Sequence, residues 1–374
     1  MLKNEKLIFI TSTFICCLCI SSMASSYVFT KSASISVDGS VDIKDRTFGV
    51  TDIVLTAGYS DASCTVRDLN GNSISDGDIK SFFVENEDVT DKYNNHFVQL
   101  KRYYVSMSQA SSGVMTYKLS TTKKDSSYFV CPYFYDKDGN EIEYAYYGKY
   151  KGNVTDEKLY SIAGVTPTYS TTIDNFRTSA RANGDQYHKT DWCTVFTAQI
   201  MLMCYYKTTK VDDKITYRSC GYQTGTGVQV LGIEDIIGNG FEDVDGVCFY
   251  GASSLSSCAV AYDEKISDYK ATTTTNKTTL TGASGISGNY ISRMYYVSGK
   301  PTLSFFPKAL SGGSLSTYYC DLFYYGTNSG SSYLTCWGAR GPYDSQGLFY
   351  LSCSGLWSYT SSSIVSRLHA KYLS

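Results

Sequence analysis

The stretch Asp191–Lys207, DWCTVFTAQIMLMCYYK, is the one long segment of the chain that strongly predicts a helix. Asp191 is a typical N-cap residue, and Lys207 stands where a cation stabilises a helix C-terminus. Apolar residues occur on every side of this helix, as in helices that are buried or that span a membrane. The run is shorter than the about 20 apolar residues that a span requires. We therefore predict a core helix inside a β-rich shell.

The composition is typical of a folded, aromatic-rich β protein. The chain has 374 residues with 35 Tyr, 17 Phe and only 5 Pro, and 18% of its residues are charged. Disordered chains are usually richer in charge and in proline. The net charge is −2 and no basic block occurs, which argues against nucleic acid or an anionic membrane as a partner.

The N-terminus predicts export. Lys3 and Lys6 precede the apolar run Leu7–Ile20, and Ser22-Met23-Ala24 offers small residues for cleavage. This pattern is that of a signal peptide covering residues 1–24, removed to leave a chain that begins near Ser25. The expected location is extracellular, either secreted or displayed on a cell or particle surface, without membrane insertion after cleavage. An uncleaved anchor is the alternative.

Ten of the 13 cysteines follow the signal. An even number in an exported chain predicts some disulfides, with the pairing left open. Cys193 and Cys204 are excluded as a pair, because eleven positions along one helix separate them by roughly 16 Å. No CxxC motif occurs among these ten cysteines, and the three histidines are widely separated, so a zinc site is not expected.

The order of motifs divides the chain into three parts. After the signal, residues 25–90 predict a small β-rich region of short strands, with turn signals at Asn70-Gly71 and Asp76-Gly77. Residues 91–374 form the main domain, in which Thr172–Asn183 predicts a short helix before the core helix. The acidic turn Asp136–Glu141 resembles the start of a calcium loop, but it lacks the later Gly and Glu and predicts a hairpin turn.

A series of motifs after residue 97 carries a resemblance to known proteins. They are YYGKYKG (Tyr146–Gly152), SIAGVTPTYSTTIDNFRTSARANG (Ser161–Gly184), the helix Asp191–Tyr206, GIEDIIGNGFEDVDGV (Gly232–Val247), SGISGNYISRM (Ser284–Met294), FFPKALSGGSLSTYYCDLFYY (Phe305–Tyr325), GLFYLS (Gly347–Ser352) and SSSIVSRL (Ser361–Leu368). In this order they resemble phage tail and minor structural proteins and retroelement-diversified ligand-binding proteins. Those proteins have the C-type lectin fold of the formylglycine-generating (sulfatase-modifying) enzyme class.

The resemblance implies an α+β fold with two helices, twisted antiparallel strands and long irregular loops. It also implies a ligand-binding face formed by the last strands and loops, here Trp337–Ser363. The usual Gly-Gly-Ser-Trp turn is Trp337-Gly338-Ala339-Arg340 in this chain, and the Gly of the closing Ile-Gly-Ala-Arg-Leu is Val365. These differences from the usual motifs affect which side chains the binding face presents.

Aromatic, hydroxyl and cationic residues are concentrated in this segment. Tyr and Trp provide rigid amphipathic contact area, and interleaved Ser provides adaptable hydrogen bonding. The alternative for any one of them is a place in the core of an aromatic-rich domain. The candidate ligand-binding residues are Trp337, Arg340, Tyr343, Tyr350, Ser352, Ser354, Trp357 and Tyr359.

Acidic residues cluster between positions 234 and 245. They are Glu234, Asp235, Glu242, Asp243 and Asp245. A calcium site would use such carboxylates, but their spacing matches no defined loop. The favoured interpretation is turn capping and solvated charge, with no cofactor assigned and calcium kept as the alternative.

Three functions follow. The first is a lectin-fold binding protein without chemistry, acting in adhesion or receptor recognition of a cell-surface glycan or protein. The second is an oxidase of the sulfatase-modifying type, which would use Cys336 and Cys353 as copper ligands. These two cysteines are 17 positions apart instead of a few, so a disulfide or buried thiols is favoured for them. The third is a structural tail or surface component in which the segment Trp337–Ser363 is an assembly interface. In that case the protein could be an oligomer.

Overall fold

The computed structural model describes residues 27–28, 34–35, 41–42, 49–262, 276–327, 331–338 and 347–373. The predicted signal peptide lies outside these residues. In the described ranges there are three α-helices, α1 (Asp76–Phe83), α2 (Ile173–Arg181) and α3 (Trp192–Tyr206).

Helix α3 confirms the predicted core helix. Asp191 is its N-cap and accepts the N–H of Thr194 at 2.8 Å, while Lys207 ends it in the left-handed conformation. Every residue from Trp192 to Cys204 is buried, as expected of a helix that is apolar all round.

Helix α2 also agrees with the prediction. Thr172 is its N-cap and accepts the N–H of Asn175 at 3.2 Å. Gly184 follows the end of the helix and donates its N–H to the carbonyl of Arg181.

Helix α1 corrects the prediction of two helices and of strands throughout residues 25–90. Its Asp76-Gly77 pair predicts a hairpin turn from the sequence. Ser75 instead caps the helix by accepting the N–H of Asp78 at 3.1 Å, and the helix buries Ile79 and its neighbours Phe82 and Phe83. An N-cap followed by apolar residues at helical spacing outweighs a two-residue turn signal.

The strands are short and numerous. Those before α3 are β1 (Tyr27–Val28), β2 (Ser34–Ile35), β3 (Val41–Asp42), β4 (Gly49–Val50), β5 (Asp52–Ala57), β6 (Thr65–Arg67), β7 (Val84–Thr90), β8 (His96–Lys101), β9 (Tyr104–Gln109), β10 (Met115–Ser120), β11 (Phe129–Val130), β12 (Tyr144–Gly148), β13 (Asn153–Thr155), β14 (Lys158–Tyr160) and β15 (Tyr187–Lys189). Those after α3 are β16 (Gln229–Val230), β17 (Ile233–Glu234), β18 (Phe241–Tyr250), β19 (Ala259–Tyr262), β20 (Asn276–Thr279), β21 (Asn289–Tyr290), β22 (Arg293–Met294), β23 (Pro307–Ala309), β24 (Leu322–Tyr325), β25 (Ser331–Cys336), β26 (Leu351–Gly355), β27 (Ile364–Val365) and β28 (Leu368–Ala370).

Three larger sheets organise the described residues. Their strand orders are β11-β9-β10-β5-β6, β15-β28-β12-β8-β7 and β20-β19-β18-β25-β26-β24-β21, with β27 added to β18. Most pairs are antiparallel, but β24–β26 and β18–β27 are parallel. The fold is therefore mixed α+β, with three helices instead of two.

From β5 onward, the N-terminal region shares its sheets with the rest of the chain. Strand β5 pairs with β10, and β7 pairs with β8 across the predicted boundary at residue 90. Buried side chains of β5, α1 and α3 belong to one hydrophobic cluster with those of β18 and β25. Residues 49–90 thus contribute to the core that surrounds α3.

Candidate functional site

Three of the predicted ligand-binding residues, Tyr350, Ser352 and Tyr359, meet at one open cavity. Its volume is about 520 Å³. The described residues that line it are Phe241, Tyr333, Thr335, Tyr350, Ser352, Gly355, Leu356, Tyr359, Ser361, Ser363 and Ile364. None of these eleven carries a charged side chain.

Strand pairing builds the wall of the cavity. On β25 and β26, Thr335 lies opposite Ser352 and Tyr333 lies opposite Gly355, with a register shift between the two pairs. Residues two apart on a strand face the same side, so Tyr333 and Thr335 both face the cavity. Strand β18 pairs with the other edge of β25 and supplies Phe241.

Aromatic rings form much of the lining. The ring of Tyr350 lies 5.6 Å from that of Phe241 and 6.0 Å from that of Tyr324. Burial raises the pKa of Tyr350, and burial followed by the charge of Asp243 raises the pKa of Tyr333. Both phenols therefore stay protonated at neutral pH.

The loop from Leu356 to Ser363 forms one side of the cavity and contributes hydroxyl groups to its lining. Tyr359 donates its N–H to the carbonyl of Leu356 at 2.8 Å, and the hydroxyl oxygens of Ser361 and Ser363 are 2.8 Å apart. The N–H of Ser170 ties the loop to its surroundings through the carbonyl of Ser361 at 3.0 Å. At the rim, Leu356 and Tyr359 are exposed, Tyr359 at 52%.

Trp337 corrects the predicted binding face. Its side chain is 0% exposed, and the indole N–H donates to the carbonyl of Leu348 at 3.1 Å. It belongs to the main hydrophobic cluster, so its assignment to a ligand-binding face is wrong. Large apolar residues are common in cores as well as interfaces, and the sequence around Trp337 does not separate the two.

The other predicted residues have different places. Trp357 is half-buried beside the cavity, with its ring 6.3 Å from that of Tyr333. Ser354 lies within β26. Arg340 and Tyr343 lie outside the described residues.

Two aromatic lining residues, Phe241 and Tyr333, were not among the predicted residues. Phe241 is separated from Tyr333 by more than 90 positions and meets it only because β18 pairs with β25. Tyr333 alternates with Thr335 along β25, and this spacing of two is the signal that indicates a shared face. Ser361 and Ser363 fall within the predicted segment Trp337–Ser363 but were not singled out.

The acidic cluster is buried and paired, which corrects its interpretation as solvated charge. Glu242 Oε1 lies 2.5 Å from Lys151 Nζ and 3.1 Å from Arg367 Nε. Its other oxygen accepts the hydroxyl of Thr190. Burial alone would raise the pKa of Glu242, but the two cations and these hydrogen bonds lower it to about 2.

The remaining carboxylates of this cluster have their own cations. Asp243 Oδ1 lies 3.0 Å from Lys189 Nζ. Asp245 accepts two hydrogen bonds of 2.7 Å from Arg177. Glu234 and Asp235 both contact Arg218. Carboxylates committed to Lys and Arg do not fit a calcium site, and no group of three or more His, Cys, Asp or Glu suited to a metal occurs within the described ranges.

The acidic turn at Asp136 is a hairpin turn, as predicted. Tyr135 and Glu141 form an antiparallel bridge across it. The carboxylate of Asp136 accepts the backbone N–H groups of residues 138 and 140, at 2.9 and 2.8 Å. Asp68 and Asp91 accept backbone N–H groups two and four residues later in the same way. In all three loops the carboxylate therefore stabilises the turn.

Cys336 and Cys353 are buried on the neighbouring strands β25 and β26, where Cys336 lies opposite Leu351 and not opposite Cys353. Burial raises the pKa of both thiols well above the ordinary value, so neither is a thiolate at neutral pH. None of the ten described cysteines forms a disulfide bond with another described cysteine. A disulfide framework therefore stays a prediction.

A second cavity, of about 460 Å³, lies beside β9 and β11. No predicted binding residue lines it, and its described lining is Met107, Ser126, Ser127, Phe129, Val130, Pro132, Tyr135, Tyr296, Val297, Ser298, Gly299 and Pro301. We take the first cavity as the candidate site because predicted binding residues meet there.

The chain matches no protein-family model and no curated protein. The resemblance to the lectin-fold ligand-binding proteins stays a prediction. Of the helices in the described ranges, none has both the length and the apolar character needed to span a membrane.

Proposed function

We propose that the protein is a recognition module that binds a ligand in the cavity between β25, β26 and the loop from Leu356 to Ser363, without chemistry. The ligand is a cell-surface glycan or protein, and the protein acts outside the cell, secreted or displayed on a surface. The scaffold is the C-type lectin fold of the formylglycine-generating type. The observation that carries the proposal is one open cavity lined by tyrosines and serines.

The physical basis is the combination of rigid walls and adaptable polar groups. Tyr350 packs between Phe241 and Tyr324, so its ring is held in place. Ordered aromatic rings contribute binding area at little cost in conformational entropy, and serine hydroxyls adapt to the hydrogen-bonding groups of a ligand. Binding residues also concentrate where loops are held by a rigid scaffold.

The lining supports binding more than catalysis. Its described residues include serines and tyrosines but no His, Asp, Glu or Lys, which are the usual general bases that activate a hydroxyl nucleophile. Cys336 and Cys353, the cysteines of the oxidase alternative, are at most 1% exposed and are not among the described lining residues of the cavity. An assembly interface stays the third hypothesis, because Leu356 and Tyr359 expose apolar surface at the rim.

Tyr359→Ala tests the proposal. The purified protein is screened against arrays of glycans and cell-surface proteins, and each hit is titrated with the wild type and the variant. We expect binding to weaken by about 2 kcal/mol, as at interface hot spots, with little change in Tm because Tyr359 is exposed. Tyr372→Ala is the control, since Tyr372 is 48% exposed and does not line the cavity.

Equal affinities of the wild type and Tyr359→Ala for every hit would place ligand binding elsewhere. A symmetric oligomer that Tyr359→Ala dissociates would select the assembly interface instead.

A further inference from the structure

We propose that the ligand of this cavity is a neutral saccharide. The inference rests on the proposed function, and it narrows the ligand from the chemistry of the lining. Two properties of the cavity carry it: the absence of charged side chains among its described lining residues, and the alternation of aromatic rings with hydroxyl groups.

The uncharged lining selects against charged ligands. A carboxylate, sulfate or phosphate that entered the cavity would lose water without gaining an oppositely charged side chain from the described lining. Asp243 is two residues from Phe241 on β18, but its carboxylate is buried and paired with Lys189 at 3.0 Å. The charges of Asp243 and Lys189 therefore neutralise each other behind the wall of the cavity.

The mixed lining fits a pyranose ring. A pyranose presents C–H groups on its faces and hydroxyls around its edge, so it needs a flat apolar surface beside hydrogen-bonding groups. Tyr359 offers an exposed ring and Phe241 a half-buried one, while Tyr350 and Tyr333 stand behind them in the wall at 7% and 2% exposure. Thr335, Ser352 and the serines of the loop offer hydroxyls between these rings.

The size of the cavity favours a small ring ligand over a protein surface. Its volume of about 520 Å³ lies within the range of roughly 300–1,000 Å³ that is usual for small-molecule sites. A specific protein partner requires about 800 Å² of surface from each side. At the rim of the cavity, the exposed large apolar side chains are Leu356 and Tyr359. The apolar surface of these two side chains is small compared with the area that a protein partner requires.

The test uses an array of neutral oligosaccharides of glucose, galactose, mannose and N-acetylglucosamine. Sialylated, sulfated and glucuronate-containing oligosaccharides and a set of cell-surface proteins are printed beside them. Hits are titrated by tryptophan fluorescence, because Trp357 packs on Tyr333 of the cavity. The titrations are repeated at about 50 and about 500 mM salt, since charge–charge attraction is screened over this range.

We expect neutral oligosaccharides to bind, with affinities that change less than about twofold with salt. Tyr359→Ala should weaken this binding by about tenfold or more. Ser361→Ala should weaken it by about three- to tenfold through a lost hydrogen bond. Tyr372→Ala should bind as the wild type does.

Preference for the acidic oligosaccharides, or a loss of more than about tenfold in affinity at high salt, would overturn the saccharide assignment. A protein hit that Tyr359→Ala abolishes, with no saccharide bound, would also overturn it but would leave the proposed function standing. Hits that Tyr359→Ala leaves unchanged would overturn both.

Discussion

Glu242→Gln removes the charge at the centre of a buried ion group. The carboxylate of Glu242 is shared by Lys151 and Arg367, and all three side chains are at most 1% exposed. Glutamine keeps the volume of glutamate, so the variant creates no cavity. It does leave two buried cations without their common counter-charge, which is among the costliest changes in a protein interior.

The magnitude follows from the pKa of Glu242. The two cations and the hydrogen bonds outweigh the cost of burial and hold this pKa at about 2, compared with an ordinary value of 4.5. One pKa unit is worth about 1.4 kcal/mol, so the difference corresponds to roughly 3 kcal/mol of stability. Breaking buried ion pairs typically costs about 3–5 kcal/mol. We therefore expect Glu242→Gln to lower the free energy of unfolding by roughly 3 kcal/mol at neutral pH.

The pH dependence has a defined sign. Because the folded-state pKa lies below the unfolded one, the contribution of Glu242 is complete above 4.5 and is lost as the pH falls toward about 2. Urea unfolding, followed by tryptophan fluorescence, measures this for the wild type and the variant from about pH 7 to about pH 2.5. The difference between the two proteins should shrink as the pH falls.

Glu157→Gln is the control for this experiment, because Glu157 is an exposed carboxylate in the turn between β13 and β14. It should change stability by less than about 0.5 kcal/mol. A similarly small loss for Glu242→Gln at neutral pH, or a difference that does not shrink in acid, would refute the reasoning.

Three further predictions concern the core, the cysteines and the N-terminus. Phe196→Ala in α3 should lower the free energy of unfolding by about 2–5 kcal/mol, because Phe196 is buried and leaves a cavity; a loss under about 0.5 kcal/mol in urea titration would place this side chain at the surface. Cys336→Ser and Cys353→Ser should abolish no chemical activity, and conversion of a cysteine-containing sulfatase peptide that is lost in Cys336→Ser would overturn the non-enzyme proposal. N-terminal sequencing of protein from its native host should begin near Ser25, whereas full-length protein in the cytosol would contradict export.

The helices show what local sequence predicts well. The core helix α3 was predictable because it is apolar on all sides and has Asp191 at its N-cap, and α2 because Thr172 caps it. Helix α1 was missed because Asp76-Gly77 is also a hairpin signal, and only packing of Ile79 decides between the two. Competing local signals of this kind are resolved by tertiary contacts.

The candidate site and the buried charges depend on contacts between distant positions. Tyr359 and Ser352 were predicted from their residue types in a loop-rich segment, but Phe241 joins them only through the pairing of β18 with β25. Glu242 was interpreted as solvated because its partners stand 91 and 125 positions away. A single sequence gives no signal for pairings at such separations, and like-charged neighbours in a strand are usually exposed.

Strand β28 lies inside a sheet instead of at its edge. Strand β28 pairs with β12 on one side and β15 on the other. Arg367, just before it, donates to the carbonyls of residues 148, 149, 234 and 235. During synthesis this sheet cannot close until β28 has left the ribosome, because β12 and β15 have unpaired edges until then. A chain cut before residue 367 therefore has two open strand edges and a buried glutamate without Arg367, so β28 and the residue before it act as the lock of this sheet.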